Sequence, residues 1–394
     1  MKLLHTGDWH LGKVLKGVTR LDEQRSICAE IVSIARHEAV DVVLVAGDVF
    51  DTAVPAPDAQ ELAWSTLLAL RGTGAEVVVI AGNHDSPEAF DAVRPVFAAA
   101  GVTIAGRLRS PDDAGSVAVT TATGQRARVA MIPFVSQRRI VRAADVFELD
   151  EAARQGRYAQ QLMRFVSRFA ETFRPDEVNV VLMHGTVTGA RFGGGEREAQ
   201  SVFDYHLPAS AFPTTASYVA LGHLHRAQQV AAPCPAWYAG APLAVDFGED
   251  DHAPSVNLVE VDPGLPARVR VRSLASARRL RSISGTLAEL ALLAPDVDGA
   301  LVRVLVREPP RVGLADEVRA IVAGAIEVRV ESVGGAAAPR TERLSRGSSP
   351  SELFDAYLGS QGLVDARIRA LFTTLADQVL SSDAAADAES AGAR

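Results

Sequence analysis

The chain has 394 residues, 48% of them hydrophobic and 22% charged, with a formal net charge of −8 and only 2 cysteines. That is the composition of an ordinary globular protein of roughly two or three domains. Cys28 and Cys234 are too few for a disulfide framework or a cysteine-rich zinc site. The opening MKLLHTGDWH has neither the basic nor the apolar region of a secretory signal. No apolar run reaches the roughly 20 residues of a membrane helix, so the expectation is a cytoplasmic protein with no membrane partner. An acidic balance does not advertise nucleic acid, yet a groove can be basic inside an acidic protein. Lys13, Lys16, Arg20, Arg138, Arg139, Arg142, Arg191 and Arg226 are the local candidates for such a groove.

In chain order, short apolar runs rich in β-branched residues recur: KLLHT at 2–6, VDVVLVA at 40–46, AEVVVIA at 75–81, RVAMIPF at 128–134, VNVVLMH at 178–184 and SYVALG at 217–222. They are continuously apolar, as strands buried on both faces are. Helical patterns over Leu21–Glu38 and Ala56–Leu70 separate the earlier runs, which predicts a layered α/β domain of sheets covered by helices. AWYAGAP, SVNLVEV and ARVRVRSL read as further strands that complete this domain over residues 1–275. Residues 276–333 alternate helix (Thr286–Leu293), strand (LVRVLVRE), helix (Ala315–Val322) and strand (AIEVRVESV), a small α+β unit. Residues 334–348 read as a linker. Ser349-Pro350-Ser351-Glu352 then opens terminal helices over 349–381, with a Ser N-cap, Pro at the first position and Glu at the third. Their apolar face, Val364, Ile368, Leu371, Phe372, Leu375 and Val379, suits either packing on the same chain or docking a partner. The polar, alanine-rich 382–394 is expected to be disordered.

The chemistry lies where the strands end. Asp8-Trp9-His10 follows the first apolar run, Gly47-Asp48-Val49-Phe50-Asp51 the second, and Gly82-Asn83-His84-Asp85 the third. His184 closes VNVVLMH, and His223-Leu224-His225 follows SYVALG. A lone histidine is usually an ordinary core or surface residue, a reading that suits His5, His37, His206 and His252. It fits badly when five of nine histidines fall just after apolar runs. In open α/β sheets, sites form beyond the carboxyl ends of the strands, so these segments can converge. Carboxylate, amide and imidazole without thiolate suit manganese, iron or zinc, and suit calcium poorly. Asp8 and His10 are two apart and can chelate one ion from extended chain, and His223 and His225 have the same spacing. Seven such ligands are too many for one small ion. They suit two divalent ions sharing a carboxylate, an arrangement that clamps phosphate and lowers the pKa of water to nearly neutral. Two such ions, two aspartates and a hydroxide leave a site charge of about +1, attractive to a phosphodiester.

Together these motifs resemble the calcineurin-like metallophosphoesterase superfamily. HTGDWHLGK, AGDVFDTAVP, AGNHDSPE and ALGHLHRAQ resemble, within it, the SbcD family of nuclease subunits. The resemblance covers about the first 275 residues and, beyond them, only the layout of a capping domain and terminal helices. It implies a metallophosphoesterase β-sandwich flanked by helices. It implies that Asp8, His10, Asp48 and His225 hold one ion and Asp48, Asn83, His184 and His223 the other. His84 would bind no metal and act beside the scissile phosphate as general acid or transition-state stabiliser, with Asp85 orienting and charge-tuning it. The family uses Mn2+, degrades DNA ends in the 3′ to 5′ direction, and cuts single strands and hairpins. Its partner is the SbcC-type ATPase, whose coiled coil receives the terminal helices. The nuclease subunit forms a homodimer within a heterotetramer, associated with the nucleoid. The segment ARFGGGERE after His184 departs from the family pattern.

Two rivals have distinct signatures. A protein phosphatase of the superfamily carries Arg after the second Asp motif and Glu after Asn-His, whereas this chain has Asp51-Thr52 and Asp85. A small-molecule phosphodiesterase shares Gly-His-x-His but lacks the capping unit and terminal helices. A non-catalytic metal scaffold would not need His84. The charge argument makes Asn83 a test position: Asn83→Asp cancels the excess positive charge and should lower diester turnover in a metal-saturated assay. Wild-type turnover by that variant would contradict the argument.

Overall fold

The computed structural model describes residues 1–136, 158–194, 206–249 and 253–331, and six helical residues between 354 and 372. Residues Met1–Glu331 form one compact unit and Ser332–Arg394 a second.

The first unit is built on two six-stranded sheets. The first runs in the order Arg268–Ser273, Ser255–Glu260, Lys2–Thr6, Val42–Val45, Glu76–Ile80, Val102–Ala105. The second runs Gln228–Val230, Ala236–Tyr238, Tyr218–Gly222, Val178–His184, Arg126–Ile132, Ser116–Thr120. Each sheet has four parallel strands, with antiparallel strands outside them.

The continuous apolar runs are explained by their two neighbours. Val42 and Leu44 point into the core between the sheets, with Val78, Ile80, Val180 and Leu182. Val43 and Val45 point the other way, onto Ile27 and Ile31 of helix Leu21–His37 and Leu62 and Leu67 of helix Pro57–Arg71. The outer face of the second sheet is covered by helix Tyr158–Ala170 through Leu162, Phe165 and Phe169. The result is helix, sheet, sheet, helix, with alternate side chains of each strand serving different cores.

Local signals place the helix ends. Ser86 caps helix Pro87–Ala99 by accepting from the Ala89 N–H at 3.2 Å, with Pro87 at the first position. Helix Leu21–His37 starts with Asp22 and Glu23 and ends with Arg36 and His37, matching the helix dipole. A capping box between Thr286 and Glu289 starts helix Leu287–Leu293.

Residues 280–330 form a parallel three-stranded sheet, Leu280–Gly285, Leu301–Val306 and Ala325–Val330. Helices Leu287–Leu293 and Leu314–Ile321 cover it around Val302, Val304 and Val318. Strand Leu280–Gly285 was not read from the sequence, because LRSISG carries too little apolar signal. Leu280 and Leu301 pack on Leu15, Ala244 and Phe247 of the larger layers. In the second unit the rings of Phe354 and Phe372 stack with centroids 4.0 Å apart, as two apposed helical segments allow. Arg138, Arg139, Arg142, the linker, most of 349–381 and the 382–394 tail lie outside the described residues. No described helix is long and apolar enough to cross a membrane.

His5 is an ordinary core histidine: it is fully buried, and its Nδ1 lies 2.9 Å from the Tyr218 hydroxyl of the opposite sheet. Burial lowers its pKa to about 3. The unfolded chain therefore takes up this proton first, so His5 costs stability as pH falls below about 6.5. In urea unfolding of chelator-treated protein, His5→Gln should flatten the acid slope by up to about 1.4 kcal/mol per pH unit. Parallel slopes for variant and wild type would show that His5 is not buried neutral.

Candidate metal centre

The predicted strand ends meet at one rim. Lys2–Thr6, Val42–Val45 and Glu76–Ile80 deliver Asp8, Asp48 and Asn83 from the first sheet. Val178–His184 and Tyr218–Gly222 deliver His184, His223 and His225 from the second. Backbone bonds zip the first two loops together: the Asp8 N–H donates to the Gly47 carbonyl at 2.9 Å and the His10 N–H to the Asp48 carbonyl at 3.0 Å.

Four of the expected ligands lie in left-handed backbone, with φ of 52° at Asp8, 46° at His10, 48° at Asp48 and 104° at His223. Each such non-glycine residue costs on the order of 1–3 kcal/mol, and such strain gathers at functional sites. Glycines make the close approach possible. A Cβ at Gly82 would run into the Asp48 carboxylate, one at Gly47 into the His184 ring, and one at Gly222 into the Ala46 carbonyl.

Among the described residues the donor atoms fall into three overlapping groups, two of which contain Asp48. Asp8, His10 and His225 form one group and Asp48, His184 and His223 another, each with donor atoms within 4.8 Å of one another. His10, Asp48 and His84 form a third, so His84 stands beside the junction. Asp48 Oδ2 is 3.5 Å from His184 Nε2 and 3.9 Å from His10 Nε2. The Asn83 amide oxygen joins the second group, 2.9 Å from His184 Nε2 and 2.8 Å from His223 Nδ1.

These contacts fit a pair of cations. His184 Nδ1 lies 2.7 Å from the Ala46 carbonyl and donates to it, so the lone pair of neutral His184 sits on Nε2, aimed at the Asn83 and Asp48 oxygens. Likewise His225 Nδ1 lies 2.6 Å from Glu249, so the lone pair of Nε2 faces His10 Nε2 at 3.1 Å. Lone pairs crowded together in a buried rim want positive charge between them. Titration tells the same story. Burial raises Asp8 to about 6 and lowers His10 to about 4. Burial also works to raise Asp48, but His184, His10 and His84 prevail and hold it far below the usual carboxylate range. Burial works to lower His184, yet Asp48, Asp8 and the Ala46 carbonyl raise it to about 9. A divalent ion displaces such a proton, so its affinity should rise with pH.

Asp85 differs from expectation. Its carboxylate does not support the His84 ring; it accepts the N–H groups of Gly82 at 2.8 Å, Phe50 at 2.9 Å and Val49 at 3.2 Å. It therefore braces the loop that carries Asp48. His84 is oriented by the Asp51 carbonyl, 2.8 Å from its Nδ1, while its own backbone N–H donates to Asp48 Oδ1 at 2.8 Å. Arg20 is also corrected: it is buried, paired to Glu23 at 2.6 Å and bonded to the Ala244 carbonyl, so it faces no groove.

One residue here was not foreseen. Glu249, 2% exposed, ends the turn Phe247–Glu249 and holds His225 while its other oxygen accepts the Val245 N–H at 2.8 Å. Its sequence signal is one acidic residue among several in DFGEDD (residues 246–251), indistinguishable from its solvated neighbours. Glu249→Gln should weaken the ion held with His225 by about 10–100-fold and the other ion much less. Manganese titration calorimetry reads this directly; equal weakening of both ions, or of neither, would contradict the assignment.

Comparison with known proteins agrees with this site. The calcineurin-like phosphoesterase family matches residues 1–227. The SbcD subunit of the SbcCD nuclease of Bacillus subtilis is 35% identical over 283 residues, covering 71% of this chain and 71% of that one. Its counterpart in Rhodobacter capsulatus is 32% identical over 283 residues, 68% of each chain. The counterpart in Escherichia coli K12 is 28% identical over 304 residues, 74% of this chain and 72% of that one. With a paired His/Asp centre at the rim of two sheets, the chain belongs to the calcineurin-like phosphoesterase family and, within it, to the SbcD nuclease subunits, as a metal-dependent phosphodiester hydrolase.

Proposed function

We propose that the chain is a manganese-dependent DNA nuclease subunit that acts as a 3′ to 5′ exonuclease on duplex ends and an endonuclease on single strands and hairpins. The observation that carries this reading is the place of Asp48 between two buried donor groups at one rim: it belongs to the group with His184 and His223, and its Oδ2 lies 3.9 Å from His10 of the group with Asp8 and His225. Asp8, His10, Asp48 and His225 are assigned to one Mn2+, and Asp48, Asn83, His184 and His223 to the other. When bound, such a pair supplies a clamp for the phosphodiester and hydroxide near neutral pH.

The chain's own residues do the rest. Asn83 contributes an oxygen without adding negative charge. Glu249 keeps His225 in the tautomer whose Nε2 lone pair faces inward. His84 donates its Nδ1–H to the Asp51 carbonyl, which leaves Nε2 for the leaving oxygen; acting as imidazolium, His84 delivers its Nε2 proton and returns to the neutral Nδ1–H form. Asp85 acts through the backbone of Val49 and Phe50 as a positioning residue.

The wider assembly belongs to the same reading. Residues 276–333 serve as a capping domain over the nuclease domain of 1–275. Residues 349–381 dock on the coiled coil of an SbcC-type ATPase, and two nuclease subunits pair in the complex. The relatives are named as one subunit of an SbcCD nuclease, which supports a partner of that kind.

The decisive assay is manganese-dependent cleavage of duplex and hairpin DNA, with His84→Ser as comparison. The variant should keep two manganese ions per chain and lose at least about 100-fold in cleavage, the usual worth of a general acid. If wild type ignores DNA but hydrolyses a cyclic nucleotide or phosphopeptide, the nuclease reading falls. Loss of one ion from the variant would instead make His84 a ligand.

A further inference from the structure

Of the five described basic residues among those singled out in the sequence, three are spoken for. Lys13 pairs with Asp51 at 3.1 Å, Lys16 with Glu327 at 3.5 Å, and Arg20 is buried. Arg191 and Arg226 are different. Both are exposed and line one open cleft of about 540 Å³. Neither forms an ion pair among the described residues, whereas Arg71, Arg107, Arg270 and Arg311 meet Glu76, Glu88, Glu38 and Glu317.

The placement of this cleft is specific. Arg226 directly follows His225, so its Cα lies about 3.8 Å from that of a proposed metal ligand. From there the cleft runs along Gln228–Val230, the outermost strand of the second sheet. Arg191 arrives on the other loop, which leaves the strand ending in His184. Gln228 ties the two loops together. Its side-chain oxygen accepts the Arg191 N–H at 2.8 Å, and its amide nitrogen donates to the carbonyls of Arg191 at 2.6 Å and Arg226 at 3.2 Å. One side chain thus fixes the platform from which two guanidinium groups rise.

We propose that Arg191 and Arg226 bind a non-scissile phosphate of the same DNA strand whose scissile phosphate occupies the metal centre, so that the cleft is the track of that strand past His225. This rests on the nuclease reading above. Paired guanidinium forks match the oxygens of a phosphate, which a single surface lysine does not. The described lining offers alanine, valine and glutamine with no aromatic ring, so it reads backbone charge and not base identity. It also explains how an acidic chain engages a polyanion: the attraction is local, where these arginines lack carboxylate partners among the described residues.

The test compares wild type with the double variant Arg191→Gln/Arg226→Gln. Binding of a fluorescent single-stranded oligonucleotide is measured without metal over a range of salt. Cleavage of DNA and of bis(p-nitrophenyl) phosphate, a diester too small to reach the cleft, is measured with manganese. Loss of two contacts should reduce the slope of log affinity against log salt by about 1.4 and weaken binding at least tenfold near 100 mM salt. The loss in kcat/KM should be at least tenfold greater on DNA than on the small diester, and should lie in KM. A wild-type salt slope and DNA KM overturn the assignment, and would leave the cleft to an acidic partner surface. If the variant falls equally on both substrates, the metal-free salt slope still decides, since it does not depend on the metal centre. If wild type binds DNA with this slope dependence yet does not cut it, the nuclease reading fails while the cleft assignment stands.

Discussion

The centre depends on how one carboxylate is held. Asp48 lies in left-handed backbone at the end of a buried strand and stands between donor groups from both sheets. Its Oδ1 receives the His84 N–H, and its Oδ2 faces His184 and His10. Nothing about this is relaxed: the backbone is strained, the group is buried, and lone pairs crowd around it. It persists because the surroundings leave no alternative. Gly82 and Gly47 admit the carboxylate and the His184 ring where any side chain would collide with them. Asp85 pins Val49 and Phe50, the residues just beyond Asp48, through their N–H groups. The three apolar cores behind the rim supply the rigidity against which that strain is balanced.

The same economy links the smaller sheet to the metal centre. The turn Phe247–Glu249 buries Phe247 against Leu280 and Leu301, with the Arg303 guanidinium 4.5 Å from the centre of its ring. Two residues later, Glu249 holds His225. On its other side the backbone of Gly194 lies against Gly248, so closely that a Cβ on either would crowd the other's carbonyl. Three residues therefore touch the smaller sheet, a proposed ligand and the loop that follows Arg191. A shift of any one of them is felt by the other two, because packed interiors transmit displacement instead of absorbing it.

The fold class and the residues proposed as ligands were legible in the chain. Runs such as VDVVLVA announce a strand buried on both faces, and short polar segments after several such runs announce a rim. Asp8, His10, Asp48, Asn83, His184, His223 and His225 were readable because periodicity and residue type are local properties. Strand Leu280–Gly285 was not, since its partners, not its own apolarity, make it a strand.

What folding alone decided are the partnerships between distant residues. Asp85 and His84 are adjacent in the chain, yet one braces Val49 and Phe50 and the other leans on the Asp51 carbonyl. Arg20 and Arg226 look equivalent as letters, yet one is sealed against Glu23 and the other is exposed in a cleft. Glu249 lies 24 residues from the histidine it holds, and no pattern connects them. The reason is physical. Backbone periodicity sets which way a side chain leaves its own strand, but the identity of its partner depends on which strands the sheets bring alongside.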